Sequence, residues 1–177
     1  MVTPPIPLSA ADIGDQERAL VEEVLRTGRL STGPMLERFE ETCAERFGAR
    51  HAIGVASGTA ALHISLIAAG IGERDIVLTS PSSFIPSANV ILYERAIPLF
   101  VDVDPLTLTI DPASAIDAMD AVVARRAGWE RLLPRGLAAD AGTLRAVIPV
   151  DIFGRVAEQR ELVSAARARG IAVIEDA

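Results

Sequence analysis

From residue 51 onward, short apolar runs alternate with longer amphipathic stretches, and this alternation constrains the fold more than any other feature. The apolar runs, which are typical of buried strands, are HAIGVAS, DIVLTS, IPLFVDVD, RAVIPVDIF and IAVIEDA. The stretches between them predict helices near residues 59–70, 85–95, 113–127 and 156–169. Strand, helix and strand repeated in this way predict an α/β fold, a doubly wound and mostly parallel sheet with helices on both faces.

Residues 1–50 have a different pattern, which predicts two helices joined by a loop. The first helix is expected over residues 13–27 with Asp12 as its N-terminal cap. The second, PMLERFEETCAERF, begins with proline and ends at Gly48. We therefore expect a helical N-terminal region, residues 1–50, followed by an α/β region, residues 51–177.

Apolar residues recur every fourth position in the second helix, at Met35, Phe39 and Cys43. This spacing predicts that one face of the helix is buried. We interpret Cys43 as a small buried hydrophobe rather than a nucleophile. A single cysteine cannot form an internal disulfide, which fits a reducing compartment. The turn residues of RLSTGP, between the helices, predict an exposed loop.

Charge and composition narrow the classes of partner. The net charge is −7 and the basic residues are scattered, which argues against nucleic acid binding. No apolar stretch approaches the roughly 20 residues of a membrane span. The start, MVTPPIPLSAADIGDQ, lacks the pattern of a signal peptide, so we expect a cytoplasmic protein. All 17 basic residues are Arg, so these residues cannot complete a mechanism that needs a Lys amine.

The segment VASGTAAL predicts a strand that leads through Ser57, Gly58 and Thr59 into a helix. Gly58 allows a ligand to approach the backbone closely, and the amides at a helix N-terminus favour an anion such as phosphate. The alternative is an ordinary N-cap, since Ser, Thr and Gly are favoured there in any case. The segment is neither a dinucleotide-binding fingerprint nor a P-loop.

Two further side chains are expected at the carboxyl ends of strands, where open α/β sheets bind ligands. Phe84 follows the second apolar run, and its ring can either stack on a planar ligand or pack in the core. Asp176 follows the last apolar run, where its carboxylate can pair with a protonated ring nitrogen or cap a helix. Its neighbour Glu175 is expected to face the other way.

Other candidate residues have weaker patterns. Asp102 and Asp104 form an Asp-x-Asp pair after a strand, as metal-binding pairs do, but the following proline favours a turn. His51 and His63 lack partners at the spacing of metal ligands, so we interpret both as structural and predict no metal site. The segment from 125 to 145 is expected to be a surface connection with one or two helical turns, in which Trp129 covers an apolar patch.

The order of motifs from about residue 30 to residue 177 resembles the DegT/DnrJ/EryC1/StrS family of pyridoxal-phosphate-dependent sugar aminotransferases. The motifs are STGP, a helix containing FE, then ASGTAAL, SPSSFIPSAN, PLFVDVD, IPVDIFG and VIEDA. The likeness covers only the N-terminal half of a family member. One departure is Asp151 in IPVDIFG, where many relatives carry His.

The resemblance implies the large domain of a fold type I aminotransferase, with pyridoxal 5′-phosphate at the carboxyl edge of the sheet. By this resemblance Gly58, Thr59 and Ala60 would hold the cofactor phosphate. Phe84 would stack on the pyridine ring, and Asp176 would pair with the pyridinium nitrogen. The Lys that forms the Schiff base would lie beyond Ala177, so residues 51–177 would be an incomplete, truncated cofactor-binding domain.

The resemblance also implies an activity, the transfer of an amino group from glutamate or glutamine to a nucleotide-linked keto-sugar, by a homodimer. Without its Lys, the 177-residue chain is expected to be inactive alone. Two alternatives stay open. One is a sugar dehydratase with the same fold and cofactor, and the other is a non-catalytic remnant that acts as an interaction module.

Overall fold

The computed structural model describes residues 10–177, and the expectation about a signal peptide concerns a segment that begins outside them. The chain forms two compact units, Met1–Gly54 and Val55–Ala177. A domain boundary at residue 50 stays our prediction from the sequence. No helix within the described residues is long and apolar enough to cross a membrane.

The first unit contains α1, Asp15–Thr27, and α2, Pro34–Phe47. The prediction that Asp12 caps α1 is wrong, because Gly14 is the N-cap and its amide donates to the Glu17 carboxylate at 2.7 Å. Backbone hydrogen bonds to that carboxylate lower the pKa of Glu17. Gly48 ends α2 in the left-handed conformation, as expected.

The prediction that α2 buries its Met35, Phe39 and Cys43 face is wrong for the described structure. Phe39 is 57% exposed, and Met35 and Cys43 are only partly buried. The two helices described in this unit, within residues 10–54, do not enclose this apolar stripe, and instead they line an open groove of about 490 Å³. Cys43 is a free thiol.

The second unit is built on a four-stranded parallel sheet in the order β2-β1-β3-β4. The strands are β1, Ile76–Thr79; β2, Ile97–Phe100; β3, Leu144–Ile148; and β4, Ala172–Val173. The helices are α3, Gly58–Ala68; α4, Pro86–Tyr93; α5, Pro112–Val123; and α6, Gln159–Ala168. The predicted α/β fold with a mostly parallel sheet is confirmed.

Each strand sends alternate side chains to opposite faces of the sheet, and this produces two cores. Ile76 and Leu78 pack in the core that includes residues of α5 and α6. Val77, between them, packs in the core that includes residues of α3 and α4. All three are fully buried, which explains why the strands have continuous apolar sequences rather than alternating ones.

The prediction of a strand at HAIGVAS is wrong, since residues 51–57 form no strand. A strand needs a neighbouring backbone, and within the described chain these residues pair with none of the four strands. Ile53 is 75% exposed as a result. The Gly54 amide donates instead to the carboxylate of Glu40 on α2, at 2.7 Å.

The connection from residue 125 to 145 contains two short 3₁₀ helices, Trp129–Leu132 and Ala138–Asp140, which agrees with the prediction of one or two helical turns. Trp129 is 7% exposed and belongs to the core on the α5 and α6 face. The Arg125 guanidinium lies 4.0 Å from the centre of its ring. The indole therefore covers an apolar patch, as expected, with a cation over its other surface.

Candidate functional site

The first turn of α3 has the features of an anion-binding helix N-terminus. Ser57 is the N-cap, and its hydroxyl oxygen accepts from the Ala60 amide at 3.2 Å. A Cβ built on Gly58 meets nothing within 4 Å, so the space beside this backbone is open. The first amides of a helix have no carbonyl partner within it, which makes this turn a candidate site for an anion.

Phe84 lies in the loop between β1 and α4, where its side chain is 77% exposed. The alternative of core packing is therefore not what the structure has. Pro86 begins α4, and its fixed φ suits the first turn of a helix. An exposed aromatic ring at this edge of the sheet offers a flat apolar surface to a planar ligand.

Asp176 lies beyond the end of β4, in a parallel bridge opposite Val150. Its amide donates to the Pro149 carbonyl at 3.0 Å, and its carbonyl accepts from the Asp151 amide at 2.9 Å. These two hydrogen bonds continue the register of β3 and β4 three positions beyond the pair of Val147 and Val173. The Asp176 backbone is thus fixed at the carboxyl edge of the sheet, and its side chain is partly buried.

Ser87, in the first turn of α4, joins two of the predicted residues and was missed by the sequence reasoning. Its hydroxyl oxygen lies 2.5 Å from Oδ2 of Asp176 and 3.0 Å from the carbonyl oxygen of Phe84. Ser87 is 1% exposed and Asp176 is partly buried, so this contact is partly shielded from water. A serine one helical turn after Phe84 was a weak signal, since its acidic partner is distant in sequence.

Topology brings the α3 turn to the same edge of the sheet. Because α3 runs toward the start of β1 and α4 runs away from its end, both helices lie antiparallel to the strands and begin at the carboxyl edge. They pack against each other on one face of the sheet. Within residues 10–177 no hydrogen bond joins Gly58, Thr59 or Ala60 to Phe84 or Asp176.

Asp151 shapes the loop beside Asp176. Its carboxylate accepts from the Ala157 amide at 2.8 Å, which closes the segment between them. Within that segment Phe153 has a φ of 53° and is 86% exposed. The carboxylate at this position therefore has a structural contact in the loop that borders the candidate site.

The other candidates lie outside this group. Asp104 accepts from the amides of Leu106 and Thr107, at 2.7 and 3.0 Å, so its carboxylate closes a turn. His63 pairs with Glu94 at 2.6 Å, and His51 is exposed. Among the described residues no group of three or more His, Cys, Asp or Glu side chains has the arrangement of a metal site.

Comparison with known proteins gives this geometry a context. The model of the DegT/DnrJ/EryC1/StrS aminotransferase family matches residues 11–177. Over 97% of this chain, 37% of residues are identical to the spore coat polysaccharide biosynthesis protein SpsC of Bacillus subtilis. Over 96% of the chain, 36% are identical to the putative pyridoxal phosphate-dependent aminotransferase EpsN of the same organism.

A solved structure has the same fold. The DegT DnrJ EryC1 StrS aminotransferase from Brucella abortus superimposes with a TM-score of 0.74 and 31% identity, over 89% of this chain and 39% of that one. The chain covers 39% of SpsC and 40% of EpsN, so it spans about two fifths of the curated relatives it matches. The fold is thus that of the large domain of fold type I aminotransferases, represented in part.

Proposed function

The chain belongs to the DegT/DnrJ/EryC1/StrS aminotransferase family, and from this premise we propose that it forms the cofactor-binding part of a pyridoxal-phosphate-dependent sugar aminotransferase. The proposed reaction moves an amino group from glutamate or glutamine to a nucleotide-linked keto-sugar. The observation that carries the proposal is the fixed Asp176 carboxylate at the sheet edge where α3 and α4 begin.

The residues of the candidate site fit the chemistry of the cofactor. The open helix N-terminus at Gly58 and Thr59 suits a phosphate, which a helix dipole and free amides attract. The exposed Phe84 ring suits an aromatic pyridine ring. The Asp176 carboxylate suits a protonated ring nitrogen. When bound, pyridoxal phosphate supplies an electron sink that stabilises negative charge on the reacting carbon.

In this proposal each residue of the candidate site has a defined role. The first turn of α3, Gly58, Thr59 and Ala60, binds the phosphate. The amides of Gly58 and Thr59 and the Thr59 hydroxyl are its donors, because the Ala60 amide already donates to Ser57. Phe84 covers one face of the ring and excludes water from it. Asp176 holds a proton on the ring nitrogen by pairing with it. No side chain among the 177 residues carries an amine, so a Lys for a covalent cofactor link would come from outside this sequence.

The first experiment measures binding of pyridoxamine 5′-phosphate, which needs no Lys, by fluorescence titration. Gly58→Ala is the sharpest variant, because its Cβ meets no atom of the protein and should not disturb the fold. We expect about tenfold weaker binding, since the methyl group would occupy the space of the phosphate. Gly72→Ala, with equally open surroundings, is the matched control.

An unchanged dissociation constant for Gly58→Ala would contradict the phosphate assignment. Asp176→Asn tests the nitrogen partner in the same assay, with the exposed Asp12→Asn as its control. We expect weaker binding for Asp176→Asn alone, because the neutral amide removes the charge that attracts a pyridinium. Equal binding by the wild type, Asp176→Asn and Asp12→Asn would contradict the assignment of Asp176.

The missing amine makes a second test possible. After addition of pyridoxal phosphate and reduction with borohydride, peptide mapping by mass spectrometry should find no labelled side chain, and a label only on the N-terminal amine. A reduced adduct on any internal residue of the chain would contradict the proposal that these residues hold the cofactor without a covalent link.

The remaining parts of the proposal concern the complete enzyme. We propose a homodimer in the cytoplasm, with no nucleic acid or membrane as partner, in keeping with the net charge of −7. Residues 1–50 would form the N-terminal helical region and residues 51–177 the cofactor-binding domain. The dehydratase and the non-catalytic module stay predictions, and chromatographic identification of an amino-sugar or a deoxy-sugar product would separate the two enzyme reactions.

A further inference from the structure

We propose that Ser87 is a positioning residue that aims the Asp176 carboxylate at the cofactor ring nitrogen, an inference that rests on the proposed function. The hydroxyl oxygen of Ser87 lies 2.5 Å from Oδ2 of Asp176. It touches no ligand in this role and acts through the carboxylate. The substrate class is therefore unaffected by the proposal, which concerns how one acidic side chain is held.

The hydroxyl hydrogen has two acceptors within reach, and the surrounding contacts decide between them. The Phe84 carbonyl already accepts from the Ser87 amide at 3.1 Å. Its distance to the Ser87 hydroxyl oxygen, 3.0 Å, is longer than the distance to the carboxylate. Because a charged acceptor forms the stronger hydrogen bond, the hydrogen lies toward Asp176.

This contact completes the restraint of Asp176. Hydrogen bonds to Pro149 and Asp151 fix its backbone beside β3. Ser87 fixes Oδ2, which blocks rotation of the carboxylate and leaves Oδ1 for a partner outside the protein. A group held in advance at its working geometry loses less conformational entropy when a ligand arrives.

Ser87 also relates this carboxylate to the proposed stacking ring. Its amide and Pro86 start α4 directly after the loop that presents Phe84. The residue is 1% exposed, so its own side chain has little contact with water. One buried serine thus holds Asp176, which would meet the ring nitrogen of a planar ligand. The same serine contacts the loop of Phe84, which would stack on the face of that ligand.

The test compares Ser87→Thr with Ser87→Val, two side chains of nearly equal shape of which only Thr keeps the hydroxyl. Each variant binds pyridoxamine 5′-phosphate labelled with ¹⁵N in the ring, and the ¹⁵N chemical shift reports whether the ring nitrogen carries a proton. We expect the protonated signal in the wild type and in Ser87→Thr. In Ser87→Val we expect the neutral signal and about tenfold weaker binding.

Ser83→Ala is the control, since its hydroxyl contacts the Phe84 carbonyl at 3.1 Å and is not bonded to Asp176. It should keep the wild-type ¹⁵N shift and affinity. A protonated signal with wild-type affinity in Ser87→Val would overturn the role of Ser87. Equal loss in the Thr and Val variants would also overturn it, because a structural effect of the added bulk does not depend on the hydroxyl.

Failure of the proposed function would look different. In that case the wild-type chain itself would not bind the labelled cofactor, or Asp176→Asn would leave the protonated ¹⁵N signal unchanged. If Asp176→Asn removes the protonated ¹⁵N signal and Ser87→Val does not, the proposed function is retained and only the role of Ser87 is rejected. Circular dichroism of each variant before titration identifies any that fails to fold.

Discussion

Nε2 of His63 lies 2.6 Å from Oε1 of Glu94 and joins the middle of α3 to the end of α4. Both side chains are partly buried, and the imidazole also meets the Tyr93 ring edge to face at 5.3 Å. The pair thus ties together the two helices whose first turns form the candidate site. The sequence reasoning treated His63 as structural, and the contact agrees with that interpretation.

A double-mutant cycle can measure how much the contact between His63 and Glu94 contributes to the free energy of unfolding. His63→Ala and Glu94→Ala each remove one partner, and we expect a coupling free energy of about 1 kcal/mol in urea unfolding at pH 7. The exposed His51→Ala should change the free energy of unfolding by less than about 0.5 kcal/mol. Additive effects of His63→Ala and Glu94→Ala would mean that the short distance contributes nothing to stability.

Gly54→Ala should destabilise the packing of Gly54 on α2. A Cβ at this position would lie 2.4 Å from Cδ1 of Leu36, so the leucine must leave its rotamer. We expect a loss of about 1 kcal/mol in the free energy of unfolding, since the clashing atom is the end of a flexible side chain. Leu36→Ala should remove this penalty, and a full penalty in the double variant would refute the steric cause.

Asp111 should make stability depend on pH. Its carboxylate caps α5 and accepts from the Ser114 hydroxyl and amide, which lower the pKa of Asp111 from its ordinary 3.8. A lowered folded-state pKa stabilises the fold above pH 3.8, and that contribution is lost as the pH falls through the lower value. Asp111→Ala should therefore cost about 1 kcal/mol at pH 7 and less at pH about 3.

Asp111→Asn is the matched variant for this effect, because asparagine caps a helix without ionising. Thermal unfolding at several pH values should give a wild-type minus Asp111→Asn difference that shrinks on acidification. A difference that stays constant from neutral to acidic pH would contradict the cause given for the pKa of Asp111.

Arg125→Lys should be nearly as destabilising as Arg125→Ala. The guanidinium lies over Trp129 at 4.0 Å and donates to the carbonyl oxygens of Ala141 and Gly142 at 3.0 and 2.9 Å. An ammonium lacks the planar fork that makes these contacts together, so we expect each change to cost about 1 kcal/mol. Urea unfolding measures the cost, with the exposed Arg135→Ala as control. A Lys variant as stable as wild type would indicate that charge alone suffices.

The elements that the sequence predicted best are those whose signals are local. A proline and a glycine bound α2, and apolar runs mark residues 76–78 of β1, 97–99 of β2 and 146–148 of β3, because residues buried on both faces of a sheet are mostly apolar. The wrong prediction of a strand at residues 51–57 has a different cause. Apolar periodicity reports that a segment can form a strand, whereas pairing needs a neighbour, which these residues lack in the described chain.

The sequence predicted which residues lie at the candidate site, but not which side chains contact each other there. The carboxyl ends of apolar runs located Phe84 and Asp176, because parallel strands end at one edge. The Ser87 contact to Asp176 spans 89 positions in sequence. Spacing rules cover neighbours on one helix or strand, and therefore no such rule relates a serine on α4 to an aspartate after β4.

The position of β1 in the middle of the sheet has a consequence for the order of folding. Its register pairs Ile76 with Ile97 on one side and with Leu144 on the other, so β2 joins through a much shorter loop than β3. Shorter loops lose less entropy on closing, and local pairings form faster. During refolding, the Ile97 amide, bonded to Asp75, should gain protection from hydrogen exchange before the Ile76 amide, bonded to Thr143. We therefore expect β3 and β4, the side of the sheet that holds Asp176, to join after the β1–β2 pair has formed.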